Sequence, residues 1–130
     1  MRLNTIKYQL YIPALIVAVG IMICSLATPS ISISLPKPIR IPHLDKFVHI
    51  LMYLGFALTL AWANIKNHIR TLPNALTTIA IATVYGGVIE LLQKYYFPPR
   101  TGEWLDWVAD ILGATIGSII IILFYKRNRK

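Results

Sequence analysis

Long apolar runs, separated by short polar or proline-containing connections, dominate the pattern of this chain. Four such runs occupy residues 8–27, 47–65, 74–92 and 104–125. A helix needs about 20 apolar residues to cross the ~30 Å hydrocarbon layer of a bilayer, and each run is close to that length. The pattern therefore predicts an all-α membrane protein, folded as a bundle of four transmembrane helices.

The connection between the first two runs, residues 28–44, is rich in proline. It contains Pro29, Pro36, Pro38 and Pro42, which interrupt helical hydrogen bonding. We expect a loop at the membrane surface rather than a separate domain, so that residues 1–130 form a single transmembrane domain. The run at 8–27 is longer than the apolar region of a signal peptide, and we expect it to remain as the first membrane helix.

Composition and charge agree with a location in the membrane. Hydrophobic residues make up 56% of the 130 residues and charged residues only 14%, whereas soluble domains average about 45–50% and about 25%. The formal charge of +8 arises from basic residues in the connections, without the aromatic-interleaved basic patch typical of nucleic-acid binding. We expect a multi-pass protein of the cell membrane, with membrane lipids rather than nucleic acid as partners.

The distribution of basic residues predicts the orientation. Four crossings place both termini on one side, together with eight of the thirteen Lys and Arg residues: Arg2, Lys7, Lys66, Arg70, Lys126, Arg127, Arg129 and Lys130. The opposite side carries Lys37, Arg40, Lys46, Lys94 and Arg100. Because the side richer in Lys and Arg usually faces the cytoplasm, we expect both termini to be cytoplasmic and the Pro-rich loop to lie outside.

All five acidic residues lie on or near the opposite, outer face: Asp45, Glu90, Glu103, Asp106 and Asp110. Glu90 and Asp110 are placed inside apolar runs. A charged side chain at membrane depth costs roughly 2.5–3.5 kcal/mol on insertion scales, so it persists mainly where it has a partner or a function.

Polar side chains form a stripe on each of three predicted helices. The stripes are Asp45, His49 and Tyr53 at spacings of four; Glu90 and Gln93 at a spacing of three; and Asp106 and Asp110 at a spacing of four. Gly113 and Gly117 continue the last stripe and would let another helix approach closely. Each polar residue alone has an ordinary structural explanation, but three coincident stripes favour an outward-facing polar pocket.

This arrangement defines the candidate site residues. Candidate ligand-binding residues are Asp45, Lys46, His49, Tyr53, Glu90, Gln93, Arg100, Asp106 and Asp110. The candidate catalytic residues are His49, Glu90 and Asp106, and these three with Asp110 are candidate metal ligands, since imidazole and carboxylate oxygen suit several divalent ions. The pattern identifies no particular cofactor.

The same residues resemble the VanZ-like family of small membrane proteins, named for a member associated with resistance to the glycopeptide antibiotic teicoplanin. The matching positions, within residues 45–117, are Asp45, Lys46, His49, Tyr53, Glu90, Gln93, Pro99, Arg100, Asp106 and Gly113. The resemblance implies a role in the cell envelope and a link to glycopeptide susceptibility. It implies no particular reaction.

One position departs from the family pattern. Asp110 stands where the family often has Asn, and an ionised carboxylate only accepts hydrogen bonds whereas an amide also donates them. We therefore expect Asp110 to be protonated, to pair with Arg100 or Lys46, or to bind a cation.

Three hypotheses for function follow. In the first, the pocket binds a lipid head group or a glycolipopeptide, with Lys46 and Arg100 contacting phosphate or carboxylate. The alternative is a membrane-embedded hydrolase or transferase, with or without a metal, that acts on lipid-linked envelope substrates. In it His49 is the general base, Asp45 or Glu90 orients it, and Arg100 stabilises an anion.

In the third hypothesis the polar residues only fix helix packing.

If the protein has one of the first two functions, the expected partners are lipid-linked cell-wall precursors or glycopeptides. A homo-oligomer is also compatible with the pattern.

Overall fold

The computed structural model describes residues 7–27, 43–98 and 102–128, and in them the chain forms four long helices. These are α1 (Ile12–Ala27), α2 (Leu44–Lys66), α3 (Thr71–Tyr96) and α4 (Trp104–Arg127). All four are long and apolar enough to cross a membrane, α1 together with the helical turn that precedes it. The predicted all-α fold with four membrane helices is confirmed. The predicted Pro-rich loop lies almost entirely outside the described residues.

Three helices are longer than the apolar runs that predicted them: α2, α3 and α4, the last of which ends at Arg127 rather than 125. α2 begins at Leu44 rather than 47, and α3 extends from Thr71 to Tyr96 rather than over 74–92. Proline does not end the helix at Pro73, because this residue lies in the first turn of α3, where a backbone N–H would have no helical acceptor. The extra turns bring charged residues into the helices, so hydropathy alone missed them.

The most extensive contact in the bundle is between α2 and α4, and small residues permit it. A methyl group added at Gly113 would collide with the carbonyl group of Ile50. One added at Gly117 would lie 2.9 Å from both the Ala57 Cβ and the Leu54 carbonyl oxygen. The two glycines on α4 therefore allow the backbone of α2 to approach closely, as their spacing predicted.

α1 packs on α2 and α3 and is attached by polar contacts as well as apolar ones. The Tyr85 hydroxyl donates to the Ala18 carbonyl at 2.6 Å, and the Gln93 amide donates to the Ser25 carbonyl at 2.8 Å. The Tyr85 ring also packs on Phe56, with the two ring centroids 5.8 Å apart. Large aliphatic side chains such as Leu15 and Ile16 remain exposed on the outer faces, as expected for a surface in contact with lipid.

A second polar network, which the sequence analysis did not anticipate, lies where α2 ends and α3 begins. The Asn64 amide donates to Asn74 Oδ1 at 2.8 Å, and the Asn74 amide donates to the Ala61 carbonyl at 2.9 Å. The Tyr11 hydroxyl, just before α1, donates to Asn64 Oδ1 at 2.9 Å. These asparagines have mutual partners, which accounts for their burial inside apolar helices.

The contact between α2 and α4 yields a stability prediction. We expect Gly113→Ala to lower the free energy of unfolding by about 1–3 kcal/mol, because the added methyl group forces two backbones apart. The measurement is thermal or denaturant-induced unfolding of the purified protein in detergent.

Gly55→Ala is the matched control, because a methyl group at Gly55 meets nothing within 4 Å. It replaces the same residue in the same kind of helix, where alanine is favoured over glycine by up to about 1 kcal/mol. If the two variants unfold alike, the close approach at Gly113 does not limit stability.

Candidate functional site

Three helix ends gather all five acidic residues of the chain into one group. The start of α2 supplies Asp45, Lys46 and His49; the end of α3 supplies Glu90; and the start of α4, with the residue before it, supplies Glu103, Asp106 and Asp110. We refer to these seven residues as the acidic cluster. Asp45 and Asp106 lie in the first turns of their helices, where the positive end of the helix dipole favours a carboxylate.

Lys46 connects α2 to the beginning of α4. Its ammonium nitrogen lies 3.1 Å from Asp45 Oδ2, 2.9 Å from Glu103 Oε2 and 3.0 Å from Asp106 Oδ1. A lysine has three N–H donors, and these three carboxylates use all of them. In this arrangement Lys46 neutralises acidic residues and has no donor left for another group.

His49 pairs with Asp110, a partner that the sequence analysis did not consider. The Nδ1 atom of the ring lies 2.8 Å from Asp110 Oδ1, and both side chains are buried. With Asp110 ionised, Nδ1–H donates to the carboxylate and Nε2 keeps its lone pair for other groups. Of the predicted partners of Asp110, Lys46 contacts other carboxylates and Arg100 lies outside the described residues. Asp110, rather than Asp45 or Glu90, contacts the His49 ring.

Glu90 is buried in the bundle, with only 8% of its surface exposed. Its Oε2 atom accepts the backbone N–H of Glu103 at 2.8 Å. Its Oε1 atom is buried without a hydrogen-bond partner among the described residues, and the same is true of Asp110 Oδ2. Buried polar atoms usually have a partner, so these two oxygens are positions where a bound group could donate.

Small residues on α3 and in the adjoining turn make room for the cluster. A methyl group at Gly86 would lie 2.6 Å from Asp110 Oδ2, and one at Gly102 would collide with the Glu90 carbonyl group. Gly86 therefore leaves room for the Asp110 side chain of α4, and Gly102 lets the turn before α4 approach the end of α3.

The remaining predicted site residues occupy different environments. Tyr53 is fully buried beside the cluster and its hydroxyl has no partner among the described residues, so it is not an aromatic anchor at the membrane surface. The Gln93 amide donates a hydrogen bond to the Ser25 carbonyl oxygen of α1. Arg100 lies outside the described residues.

Glu103 is a cluster residue that the sequence analysis left out of the candidate site. It contacts Lys46 through its side chain and Glu90 through its backbone N–H. Its position directly before the apolar run of α4 was visible in the sequence. Its contact with α2 was not, because that contact depends on how the helices are rotated.

The charge balance limits the chemistry of the cluster. Its five carboxylates surround one lysine and one histidine, so within the cluster the negative charges outnumber the positive ones. Such a group attracts cations and N–H or O–H donors and repels free anions. The pair of His49 and Asp110 also has the geometry of a base with its orienting residue.

Comparison with known proteins identifies the family. A family model described as VanZ/LLP1 matches residues 4–125. The uncharacterised protein C11E3.10 of Schizosaccharomyces pombe is 27% identical over 95 residues, which cover 73% of this chain and 54% of the yeast protein. This chain thus spans about half the length of that curated relative.

No solved structure matches the chain. The family match extends over nearly all of the described helices and includes every residue of the acidic cluster. The resemblance predicted from the polar motifs is confirmed: this chain belongs to the VanZ/LLP1 family.

Proposed function

We propose that this VanZ/LLP1-family membrane protein resides in the cell membrane and binds the polar part of an envelope molecule in its acidic cluster. The ligand is a lipid head group or a glycolipopeptide such as teicoplanin, whose amide and hydroxyl groups supply hydrogen-bond donors. The cluster faces outward, with both termini in the cytoplasm, in accordance with the distribution of Lys and Arg.

The observation that carries this proposal is the pair of buried carboxylate oxygens without partners, Glu90 Oε1 and Asp110 Oδ2. A buried acceptor that loses its hydrogen bond costs about 1–3 kcal/mol, and more when it is charged. The Tyr53 hydroxyl is a third buried atom of this kind. A ligand that donates to these atoms would remove that cost, which provides the energy for binding.

Charge determines which part of the ligand enters. The three N–H donors of Lys46 are used within the protein, so we no longer assign it to a phosphate group. The ligand instead presents amide, hydroxyl or ammonium donors to the carboxylates. Arg100, ten residues after Glu90 in the sequence, remains our candidate contact for a phosphate or carboxylate of the ligand.

Exposed aromatic residues support a position of the cluster near the membrane surface. Phe47, Tyr95, Tyr96 and Trp104 lie at the same helix ends as the acidic residues and are largely exposed. Aromatic side chains are enriched at the boundary between lipid and water. A head group held at that boundary would reach the cluster while its acyl chains stay among the helices.

This function predicts a loss of binding in Glu90→Gln. Wild-type protein in lipid nanodiscs should bind teicoplanin or a lipid-linked cell-wall precursor. We expect Glu90→Gln to weaken binding at least about tenfold, since a charge-assisted hydrogen bond contributes about 1.5–3 kcal/mol. Titration calorimetry with each of the two ligands measures the affinity.

Glu103→Gln is the control for this experiment, because it makes the same change in charge at the same end of the bundle. Glu103 is half exposed, with 48% of its side chain accessible, and its carboxylate already contacts Lys46. Its affinity should stay within about twofold of wild type. Equal losses in both variants, or losses proportional to a drop in thermal stability, would support a purely structural cluster instead.

A second candidate function, a membrane hydrolase or transferase, is favoured by the contact between His49 and Asp110. In this function His49 takes a proton from a water molecule or a substrate hydroxyl, and that oxygen attacks a carbonyl or phosphoryl centre of a lipid-linked substrate. The proton then passes to the leaving group, and Asp110 holds the ring and stabilises its charged form.

The enzymatic function predicts that His49→Asn lowers turnover of a lipid-linked substrate by about 10²–10⁴-fold, the usual contribution of a general base. Product release from radiolabelled lipid-linked precursors measures the rate. His68→Asn is the matched control, because His68 is an exposed histidine at the other end of α2. Equal turnover by the two variants would eliminate His49 as the base.

A further inference from the structure

Three buried side chains of the acidic cluster, each from a different helix, lie at the spacing of metal ligands. His49 of α2, Glu90 of α3 and Asp106 of α4 each offer one ligand atom, and these atoms lie within 4.8 Å of one another. Ligand atoms bound to one ion at about 2.0–2.2 Å fall within that separation of each other. The trio can therefore close around an ion with small side-chain movements.

Glu90 supplies an observation that points to a ligand independently of this spacing. The side chain is more than nine-tenths buried, and only Oε2 has a hydrogen-bond donor, the backbone N–H of Glu103. Oε1 is buried without a partner among the described residues. A cation at the centre of the trio would satisfy this oxygen.

His49 is oriented as a metal-binding histidine usually is. The N–H of the second ring nitrogen of such a histidine almost always donates a hydrogen bond to a carboxylate or carbonyl group, which fixes the tautomer and the direction of the ring. Asp110 Oδ1, at 2.8 Å from Nδ1, is that acceptor. The Nε2 atom is then the nitrogen available to an ion.

A second group of carboxylates, formed by Asp45, Glu103 and Asp106, has similar spacing but already holds a cation. The Lys46 ammonium group lies between 2.9 and 3.1 Å from all three. Asp106 uses Oδ1 in this contact, which leaves Oδ2 for another partner. Lys46 therefore reaches the trio of His49, Glu90 and Asp106 only through Asp106, and among the described residues no Lys or Arg side chain pairs with Glu90.

We propose that His49, Glu90 and Asp106 bind one divalent transition-metal ion, for which zinc is the best-suited candidate. One imidazole nitrogen and two carboxylate oxygens suit zinc, and three protein ligands leave a fourth position open for water or a ligand oxygen. Asp110 is a positioning residue that holds the ring of His49. The site goes beyond the proposed function, because it can fill without any head group.

A bound ion would also change what the cluster attracts. Two added positive charges would offset two of the carboxylates and give the cluster a centre that binds a phosphoryl or carboxylate oxygen. In that state a phosphate or carboxylate oxygen of an anionic head group would contact the metal ion.

The experiment measures zinc binding by the purified full chain in detergent, after removal of bound metal with a chelator. Calorimetry and metal analysis should give one zinc per chain. We expect Glu90→Gln and His49→Asn to lower the affinity at least about 100-fold and Asp110→Asn to lower it about 10–100-fold. Glu103→Gln, which leaves the trio intact, should stay within about twofold of wild type.

The wild-type protein provides a test that does not depend on variants folding. With Co²⁺ in place of zinc, the visible absorption spectrum should show the intense bands of a four-coordinate site. A wild-type chain that binds no zinc, or whose Co²⁺ spectrum is that of the hydrated ion, would overturn the proposal. So would equal losses in Glu103→Gln and Glu90→Gln, because they would mean diffuse attraction to acidic residues.

The metal site and the proposed function can fail separately. Zinc binding without teicoplanin or precursor binding would leave the metal site in place and remove the proposed function. Teicoplanin binding by a chain that takes up no zinc would leave the proposed function in place and remove the metal site.

Discussion

The arrangement of this bundle depends on the need of buried carboxylates for partners in an apolar surrounding. Water is scarce at membrane depth, so each acidic side chain must find its partner within the protein or in a bound group. Lys46 meets this need for three carboxylates, and His49 meets it for Asp110. Because these contacts join α2 to α4, they and the glycines at Gly113 and Gly117 act on the same pair of helices. Close backbone packing and charge pairing therefore require the same helix rotation.

The bundle is held at both ends by polar contacts, but the two ends differ in the kind of buried atom that those contacts leave without a partner. At the end near Asn64 and Asn74, amide donors and acceptors pair with each other and with the backbone, and a buried atom without a partner there, Asn67 Oδ1, is a neutral amide oxygen. At the acidic end, Glu90 and Asp110 each keep one buried oxygen without a donor among the described residues. A buried acceptor without a donor costs about 1–3 kcal/mol, whereas a polar contact between membrane helices contributes only about 0.6–2 kcal/mol. A network that served only packing would therefore gain little from carboxylates that it leaves incompletely bonded. This asymmetry is why we assign function to one end and structure to the other.

Much of the fold followed from the sequence, because the length of an apolar run is set by bilayer thickness rather than by details of packing. The four helices were predicted, and α4 begins at the expected residue, Trp104. Hydropathy missed the outer turns of α2 and α3 because those turns carry charged residues such as Lys46 and Lys94. The Asn64 network was also missed, since single asparagines in an apolar run give no periodic signal. The predicted orientation and the role of Arg100 stay predictions.

The site was predicted as a set of residues but not as a set of contacts. Spacings of three and four residues show which side chains share a helix face, and this was enough to group His49 with Tyr53 and Asp106 with Asp110. Which face meets which neighbour depends on helix rotation, so the pairing of His49 with Asp110 could not be derived from spacing.

The contact between His49 and Asp110 gives a physical reason for aspartate in place of asparagine at position 110. Asparagine, which the family often has at this position, would offer His49 an acceptor of the same shape and could also orient the ring. A carboxylate does one thing more: it stabilises a positive charge on the imidazole or on an ion bound to it. In an apolar bundle this added negative charge is tolerated only where a positive charge forms or binds nearby. Asp110 thus suits both roles proposed for His49, that of a general base that takes up a proton and that of a ligand to a metal ion.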